Sequence, residues 1–313
     1  MKLQGIVPPI ITPLKDRDVL DVDGLEKLVE HMLGGGVHGI FVLGSTGEAP
    51  SLSYAVRREM ITRVCRQAGD RVPVVVGVTD TSITESLVLA GHAADSGADA
   101  IVAAPPFYFP SDPPELLEYF QHLNSDSPLP LILYNMPGLT KVNMTVDTVE
   151  KLMVEPNIVG IKDSSCNMMY YQKLLKLAPK REGWFTLIGP EELLCESVMQ
   201  GGHGGVNGGA NLAPKLYVDT YNAVINQQFD RALAIQKQIL QLGDALYGVG
   251  KHVSSCVKGI KCALSVLGIC DDYMADPLHR FREPERKVII EHLQKLVADG
   301  VLDLSLFTDH TLG

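Results

Sequence analysis

The chain has 313 residues, of which 46% are hydrophobic and 20% charged, so it can build a large core and is not expected to be disordered. Its formal net charge of −10 argues against nucleic acid or an anionic membrane surface as a general partner. The six cysteines form no CxxC pair, prolines interrupt the first apolar run, and no apolar run is long enough to span a bilayer. Together these features predict a cytoplasmic protein.

Short apolar runs alternate with longer amphipathic runs along most of the chain. The apolar runs are typical of strands buried on both faces, and they lie at 5–11, 38–44, 73–78, 98–104, 129–135, 157–162, 184–189 and 203–208. Apolar residues at helical spacing follow them, at 23–35, 53–68, 82–96, 112–124, 145–155, 166–178, 191–201 and 213–226. Four polar residues are expected to cap helices, namely Asp23, Ser53, Ser82 and Thr145.

This order of strand-then-helix units predicts an α/β fold, a (β/α)8 TIM barrel that occupies residues 1–226. A doubly wound open sheet is the alternative, but its first turn usually binds a nucleotide through glycines, and the loop at 12–21 has none. After residue 226 the strand pattern stops. Helical patterns at 228–247, 251–267 and 284–300 predict a C-terminal helical region, 227–313.

Lys162 is the most unusual residue at a predicted strand end, because the buried-strand pattern NIVGIK (157–162) finishes on a charge. Side chains alternate along a strand, so Lys162 shares a face with Ile158 and Gly160, and an inward face would direct it into the mouth of a barrel. Burial there disfavours the ammonium form, and a neutral amine can attack a ketone to form a Schiff base. Tyr134, one strand away, is the candidate proton carrier. A solvated strand end is the alternative interpretation, and position alone does not separate the two.

Two glycine-containing segments also stand at predicted strand ends. The segment GSTGE (44–48) offers hydroxyl and amide donors suited to a carboxylate, or it is an ordinary strand-to-helix turn. The segment GGHGGVNGGAN (201–211) is compatible with a phosphate cradle, but it contains no lysine or arginine. No HxH or HExxH pair indicates a metal site, and no GxSxG elbow indicates a serine hydrolase.

Taken together, GSTGE, YNMP (134–137) and GIKDSS (160–165) resemble the motifs of the dihydrodipicolinate synthase and N-acetylneuraminate lyase family. The likeness in motif order, spacing and strand position extends to about residue 226. The resemblance implies a TIM barrel that forms a covalent Schiff base with pyruvate or another 2-oxo acid and needs no cofactor.

The resemblance also implies roles for particular residues. Lys162 would be the Schiff-base lysine and Tyr134 the proton donor and acceptor. Thr46, with Ser45, would hold the carboxylate of the 2-oxo acid and relay protons. The backbone at Val206 would line the pyruvate pocket.

Subunit assembly is a further implication of the resemblance. Family members are homotetramers built from tight dimers, in which a tyrosine reaches into the site of the neighbouring subunit. Here that tyrosine would be Tyr108, preceded by Phe107 where a second tyrosine is often found.

Departures from the family pattern bear on the substrate. Dihydrodipicolinate synthases have an arginine at the position of Leu139, where it binds the carboxylate of the aldehyde substrate through two parallel hydrogen bonds. Leucine there resembles the sialic acid lyases. The segment GPEE contains Gly189, Glu191 and Glu192, where those lyases bind sugar hydroxyls, yet Gly208 stands where they offer a serine. Cys166 replaces a glycine that commonly follows the lysine motif.

The sequence thus predicts a Schiff-base lyase that cleaves or condenses a carbon–carbon bond between pyruvate and a neutral, hydroxylated aldehyde. Aldolases of 2-keto-3-deoxy sugar acids and N-acetylneuraminate lyases are of this kind. A 2-keto-3-deoxy sugar acid dehydratase is the first alternative, because the same Schiff base can expel a β-hydroxyl. A 4-hydroxy-tetrahydrodipicolinate synthase is the second alternative, and a non-catalytic barrel that binds small acids is the alternative from a different class.

Overall fold

Eight parallel strands form the centre of the molecule in a computed structural model that describes residues 3–303. The strands are β1 (Gly5–Ile6), β2 (Ile40–Val42), β3 (Val74–Gly77), β4 (Ala100–Ala103), β5 (Leu131–Asn135), β6 (Ile158–Asp163), β7 (Phe185–Ile188) and β8 (Gly204–Gly205). From β2 to β8 each strand pairs in parallel with the next one in chain order, and β1 pairs in parallel with β8. Phe41 N donates to Pro8 O and Ile10 N donates to Phe41 O, each at 2.9 Å, which joins β2 to the segment after β1. The sheet therefore closes, which confirms the TIM barrel and excludes an open sheet.

Helices follow the strands around the outside of the barrel. They are α1 (Val22–Gly34), α2 (Tyr54–Ala68), α3 (Ile83–Asp95), α4 (Pro113–Asp126), α5 (Val146–Leu152), α6 (Met168–Leu177), α7 (Leu194–Met199) and α8 (Pro214–Ile225). The side chains of Ser53, Ser82 and Thr145 cap α2, α3 and α5 as predicted. The predicted cap Asp23 is wrong, because the Asp21 side chain accepts from Gly24 N at 3.1 Å. Asp23 lies within the first turn of α1, where a negative charge interacts favourably with the helix dipole.

Short elements in the loops were not predicted. A hairpin pairs Leu14–Asp16 with Val19–Leu20, and a one-turn helix, Pro137–Thr140, follows β5. Single 3-10 turns occupy Ala49–Ser51, Gly69–Arg71, Ala178–Lys180, Glu191–Leu193 and Gly208–Asn211. Each is too brief to leave a periodic pattern in the sequence.

Three helices follow the barrel, α9 (Phe229–Tyr247), α10 (Ser255–Val266) and α11 (Glu283–Ala298). Polar contacts fix α9 to the barrel, since Gln236 Nε2 donates to Glu191 O at 2.9 Å and Gln236 Oε1 accepts from Cys195 N at 3.1 Å. The predicted division between residues 226 and 227 stays a prediction, and residues 304–313 of the predicted helical region lie outside the described residues. Within 3–303, no helix has the length and apolar character that crossing a membrane requires.

Alternation along the strands separates two apolar layers. One layer fills the barrel interior with side chains such as Phe41, Val102, Ile132 and Leu187, and the larger layer lies between the strands and the helices. These four inward side chains are at most 3% exposed, so the interior is a packed core and not a channel. Lys162 pairs in register with Leu187 of β7, on the inward-facing side of β6.

Candidate active site

Lys162 and Tyr134 lie side by side inside the barrel, near the carboxyl ends of β6 and β5. The register pairs them directly, and only 5% of Lys162 and 6% of Tyr134 are exposed. Lys162 Nζ lies 4.1 Å from the centroid of the Tyr134 ring and 5.1 Å from that of Phe41. Among the described residues, no carboxylate forms an ion pair with it. The structure therefore excludes a solvated strand end and surrounds the amine with aromatic faces.

The GSTGE loop, residues 44–48, approaches Tyr134 from β2. Ser45 Oγ lies 3.3 Å from Tyr134 Oη, within hydrogen-bond distance, and Thr46 follows it half-buried. Gly47 is required here, because a Cβ would lie 2.9 Å from Ile10 O. Thr12 Oγ1 donates to Gly47 O at 2.7 Å and fixes the loop from below.

The loop after β8 reaches the same place from the other side. Val206 and Lys162 line one small internal cavity. A Cβ on Gly208 would lie 3.8 Å from Thr46 Oγ1, so the two loops lie close together. Asn211 Nδ2 donates to Pro9 O at 2.9 Å and to Gly208 O at 2.8 Å, which ties this loop to the segment after β1.

A cavity of about 220 Å³ lies at the mouth of the barrel. Its walls are mainly apolar, with hydroxyl groups at intervals, and they include Phe41, Leu43, Ser45, Ala49, Pro50, Thr79, Phe107, Tyr134, Met136, Leu139 and Thr140. No lysine or arginine from the described part of the chain lines it. Lys141, the cation nearest to Leu139 in sequence, donates from Nζ to Gly138 O at 2.7 Å.

Glu191 is buried away from this cavity. Its Oε2 accepts from Gly209 N at 2.9 Å and its Oε1 accepts from Tyr247 Oη at 2.6 Å. Burial raises the pKa of Glu191 to about 7, although these two hydrogen bonds act in the opposite direction. Because Glu191 is only 5% exposed and does not line the cavity, the structure does not support contact between Glu191 and substrate hydroxyls. Glu192 is exposed, and Gly189 O accepts from Asn207 Nδ2 at 2.9 Å.

Tyr108 lies far outside its own barrel interior. Its side chain is 85% exposed and packs edge-on against Phe109, with 5.1 Å between the ring centroids. Its φ of 86° is in the left-handed region, which costs a bulky residue about 1–3 kcal/mol. Phe107, by contrast, lines the cavity. The structure thus does not bring Tyr108 to Lys162 within one chain.

Some site residues were missed by the sequence analysis. Asn135 and Asp163 each directly follow a member of the Tyr134–Lys162 pair, and Asn135 Nδ2 donates to Asp163 Oδ1 at 2.9 Å. Burial raises the pKa of Asp163. The feature that could have indicated Asn135 and Asp163 is a polar residue at the outward position of an otherwise buried strand. Cys166, which replaces a glycine of the family pattern, has a left-handed φ of 58°.

A second missed contact joins the GSTGE loop to the C-terminal helices. Lys261 Nζ lies 2.6 Å from Glu48 Oε1, and both side chains are almost fully buried. The signal was a lysine within the apolar run GIKCALSV (259–266) of a predicted helix.

A closed (β/α)8 barrel with a lysine buried beside a tyrosine at its strand ends defines a class of protein, the lyases that act through a covalent imine. The sequence matches the model of the dihydrodipicolinate synthetase family over residues 2–296, and the chain belongs to that family. Its members are pyruvate-dependent class I lyases and synthases that use a lysine–pyruvate Schiff base and no external cofactor. The protein is therefore an enzyme of this class, and a non-catalytic barrel is excluded. Within residues 3–303 no group of His, Cys, Asp and Glu side chains is arranged to hold a metal ion.

Named relatives agree with this assignment. A 4-hydroxy-tetrahydrodipicolinate synthase of Phenylobacterium zucineum is 32% identical over 92% of this chain and 95% of its own length. The solved dihydrodipicolinate synthase of Bacteroides thetaiotaomicron is 52% identical, with a TM-score of 0.91 over 94% of this chain and 98% of that one. A prophage protein of the dihydrodipicolinic acid synthase family from E. coli K12, solved with pyruvate, is 28% identical, with a TM-score of 0.88 over 94% and 98% of the two chains.

Proposed function

We propose that Lys162 forms the Schiff base with pyruvate and that the enzyme joins pyruvate to, or releases it from, a neutral hydroxylated aldehyde. A 2-keto-3-deoxy sugar acid aldolase or an N-acetylneuraminate lyase has this activity. The observation that carries the choice of aldehyde is the wall of the 220 Å³ cavity, where Leu139 is present and no described cation is.

The pyruvate half of the reaction follows from the surroundings of Lys162. Its neutral amine attacks C2 of pyruvate, and loss of water gives the imine. Tyr134 supplies and removes the protons of this addition, and its contact with Ser45 Oγ at 3.3 Å connects it to the GSTGE loop. Ser45 and Thr46 donate to the pyruvate carboxylate, and Val206 borders the same interior space. Removal of a proton from C3 then gives the enamine that attacks the aldehyde, and the reverse order cleaves the bond.

The acceptor half follows from the cavity walls. An aldehyde that carries its own carboxylate needs a cation, because each hydrogen bond to a charged group contributes roughly 1.5–3 kcal/mol. Leu139 gives an apolar wall in that place, and Lys141 does not line the cavity. Thr79 and Thr140 offer hydroxyl groups within the cavity, and exposed Glu192 remains the candidate to accept a hydrogen bond farther along the substrate.

Two other activities use the same imine. A 2-keto-3-deoxy sugar acid dehydratase would expel a β-hydroxyl and leave the carbon chain intact. A 4-hydroxy-tetrahydrodipicolinate synthase is favoured by the names of the relatives, which include a structure at 52% identity. Its substrate aldehyde, aspartate semialdehyde, carries a carboxylate, and among the described residues that line the cavity there is no lysine or arginine to pair with it.

The test is a comparison of kcat/KM on one enzyme preparation. We expect pyruvate release from a 2-keto-3-deoxy sugar acid, measured by a coupled assay, and negligible condensation of pyruvate with aspartate semialdehyde. Leu139→Arg should raise the second activity and is the matched variant. A sugar acid consumed without pyruvate release would establish the dehydratase, and a higher kcat/KM for aspartate semialdehyde would contradict the proposed acceptor.

Trapping identifies the lysine independently of the acceptor. Pyruvate with borohydride should add a stable mass to the peptide containing Lys162, and Lys162→Ala should remove it. Labelling of another lysine would reject the assignment. The six free cysteines fit the reducing cytoplasm, where we place the enzyme.

We also propose a homotetramer of two tight dimers, in which Tyr108 enters the neighbouring site. Exposure of both Tyr108 and Phe109 supports a partner surface there. Mixing inactive Tyr108→Phe with inactive Lys162→Ala subunits should restore part of the activity, because one site of a hybrid dimer is then complete. No recovery despite demonstrated subunit exchange would remove Tyr108 from the mechanism.

A further inference from the structure

The Glu48–Lys261 pair is the most deeply buried ion pair among the described residues. The side chains are 1% and 0% exposed, and Nζ to Oε1 is 2.6 Å. Glu48 Oε2 also accepts from Ala275 N at 2.9 Å, and Lys261 Nζ also donates to Tyr273 O at 2.5 Å. Each charge therefore has two partners, and the cluster connects the barrel to α10 and to the segment after it.

Glu48 ends the loop that carries Ser45 and Thr46. Its backbone has a left-handed φ of 56°, an unfavourable conformation for a residue with a side chain, so its position depends on what holds that side chain. The loop itself is short, and backbone bonds link Glu48 N to Ser45 O at 3.1 Å and Gly47 N to Gly44 O at 3.0 Å. A shift of the Glu48 carboxylate would therefore move Ser45 and Thr46 as well.

Helix α10 also packs against the loop after β8, on the other side of the site. A Cβ on Gly208 would lie 3.3 Å from Ile260 Cδ1 and 3.8 Å from Thr46 Oγ1, so Gly208 lies between α10 and the GSTGE loop. Ile260 precedes Lys261 on α10. One helix thus contacts both loops that border Lys162, through a charge on one side and an apolar contact on the other.

Stability alone is a poor explanation for the pair. Removing two charges from water is costly, and well-packed apolar residues of similar volume often serve a fold as well or better. A buried ion pair does, however, fix the distance and direction between two elements. The requirement for such a constraint is greatest in a loop that presents donors to a small anion, where a displacement of about 1 Å can reduce the rate about 100-fold.

We propose that Lys261 is a positioning residue for pyruvate, because it holds Glu48 so that Ser45 and Thr46 present their donors to the pyruvate carboxylate. This inference rests on the proposed function of the GSTGE loop. It assigns the C-terminal helical region a part in substrate binding, although none of its residues up to 303 lines the 220 Å³ cavity.

The test measures imine formation as a function of pyruvate concentration. Borohydride labelling of Lys162 gives a half-saturating pyruvate concentration without any need to know the aldehyde. We expect Lys261→Met to raise that concentration roughly 10- to 100-fold, while labelling at saturating pyruvate still reaches completion.

Two further variants separate positioning from general loss of stability. Arg286→Met breaks another ion pair of the C-terminal region, Arg286 Nη1 to Asp272 Oδ2 at 3.1 Å, which does not contact the GSTGE loop, and it should leave the half-saturating concentration unchanged. Glu48→Gln with Lys261→Met removes both buried charges, so its Tm should exceed that of Lys261→Met while the half-saturating concentration stays raised. If Lys261→Met does not fold, the half-saturating pyruvate concentration of the double variant tests the inference in its place.

A normal half-saturating concentration in folded Lys261→Met, or its recovery in the double variant, would overturn the inference. An equal rise in Arg286→Met would also overturn it. Failure of the wild-type enzyme to label Lys162 would instead overturn the proposed function.

Discussion

Two lysines are buried within residues 3–303, and their surroundings differ in kind. Lys261 is fully buried between a carboxylate and a backbone carbonyl, which hold its charge in place. Lys162 is 5% exposed, and the aromatic faces of Phe41 and Tyr134 are the contacts recorded for its ammonium. Both lysines are buried, so the lack of an ionic partner among the described residues is what distinguishes Lys162, the lysine proposed to form the Schiff base, from Lys261.

The difference follows from the cost of moving an ammonium group out of water. A paired charge recovers much of that cost, and removal of its partner is strongly destabilising. A cation over an aromatic face recovers about 2 kcal/mol when desolvated, which is less. Among the described residues, no carboxylate offsets the cost of burying Lys162, whereas Glu48 does so for Lys261.

The largest effect is expected from replacing each lysine by methionine. Lys162→Met should lower kcat/KM about 10⁴-fold or more, because the nucleophile is lost, while its Tm is equal to or above that of the wild type. Lys261→Met should lower stability by about 3–5 kcal/mol, because the buried Glu48 loses its cation. Thermal unfolding of both variants checks that stability falls in Lys261→Met and not in Lys162→Met. The activity assay checks the loss of kcat/KM in Lys162→Met.

The result that would break the comparison is a loss of stability in Lys162→Met as large as that in Lys261→Met. It would mean that the ammonium of Lys162 stabilises the fold and is not simply tolerated for its reactivity. Lys141→Met is a matched control, since this lysine is exposed and should change neither property by much.

Tyr134→Phe should have the next largest effect. The phenyl ring keeps the contact with Lys162, so stability should change by less than about 1 kcal/mol, whereas turnover should fall about 10²- to 10⁴-fold with the loss of the hydroxyl. Ser45→Ala, which removes the partner 3.3 Å from that hydroxyl, should give a smaller loss. Steady-state kinetics distinguish the two, and unchanged turnover in Tyr134→Phe would remove the hydroxyl from the mechanism.

Local pattern predicted that Lys162 and Tyr134 lie on neighbouring strands, but it left a solvated strand end open, and the roles proposed for the two residues came from the family resemblance. Alternation within β6 fixes the inward face, and the order of strands makes β5 its neighbour, so the pair follows from residues close in sequence. The same pattern predicted the barrel and its helices. It assigned the cap of α1 to Asp23 instead of Asp21, because two acidic residues stand close together there.

Contacts between distant segments were not predictable in the same way. Glu48 and Lys261 are 213 positions apart, and nothing in either segment specifies the other. The position of Glu191 likewise depends on Tyr247, 56 positions later on α9, so an acidic residue placed at a strand end was directed into the protein and not into the cavity. The sequence pattern predicts the face on which a side chain lies, but the packing of the C-terminal helices determines which groups that side chain contacts.

Glu191 extends the comparison to the buried carboxylates. Glu48 has Lys261 as its cation, whereas the described contacts of Glu191 are the neutral donors Gly209 N and Tyr247 Oη, with Tyr217 close by. Burial accordingly raises the pKa of Glu191 to about 7, above the ordinary value of 4.5. The folded protein then binds a proton on this group more tightly than the unfolded chain does.

The smallest effect is therefore a change of stability with pH. Because the folded pKa of Glu191 is the higher one, its stabilising contribution is complete below about pH 4.5 and is lost as the pH rises to about 7. A gap of about 2.5 pH units at about 1.36 kcal/mol each corresponds to roughly 3 kcal/mol. Glu191→Gln stays neutral, so we expect the wild type to lose up to about 3 kcal/mol relative to it over that range, measured by denaturant unfolding. A difference that does not change with pH would show that Glu191 titrates as an ordinary carboxyl and that its cluster with Tyr247 and Gly209 opens to solvent.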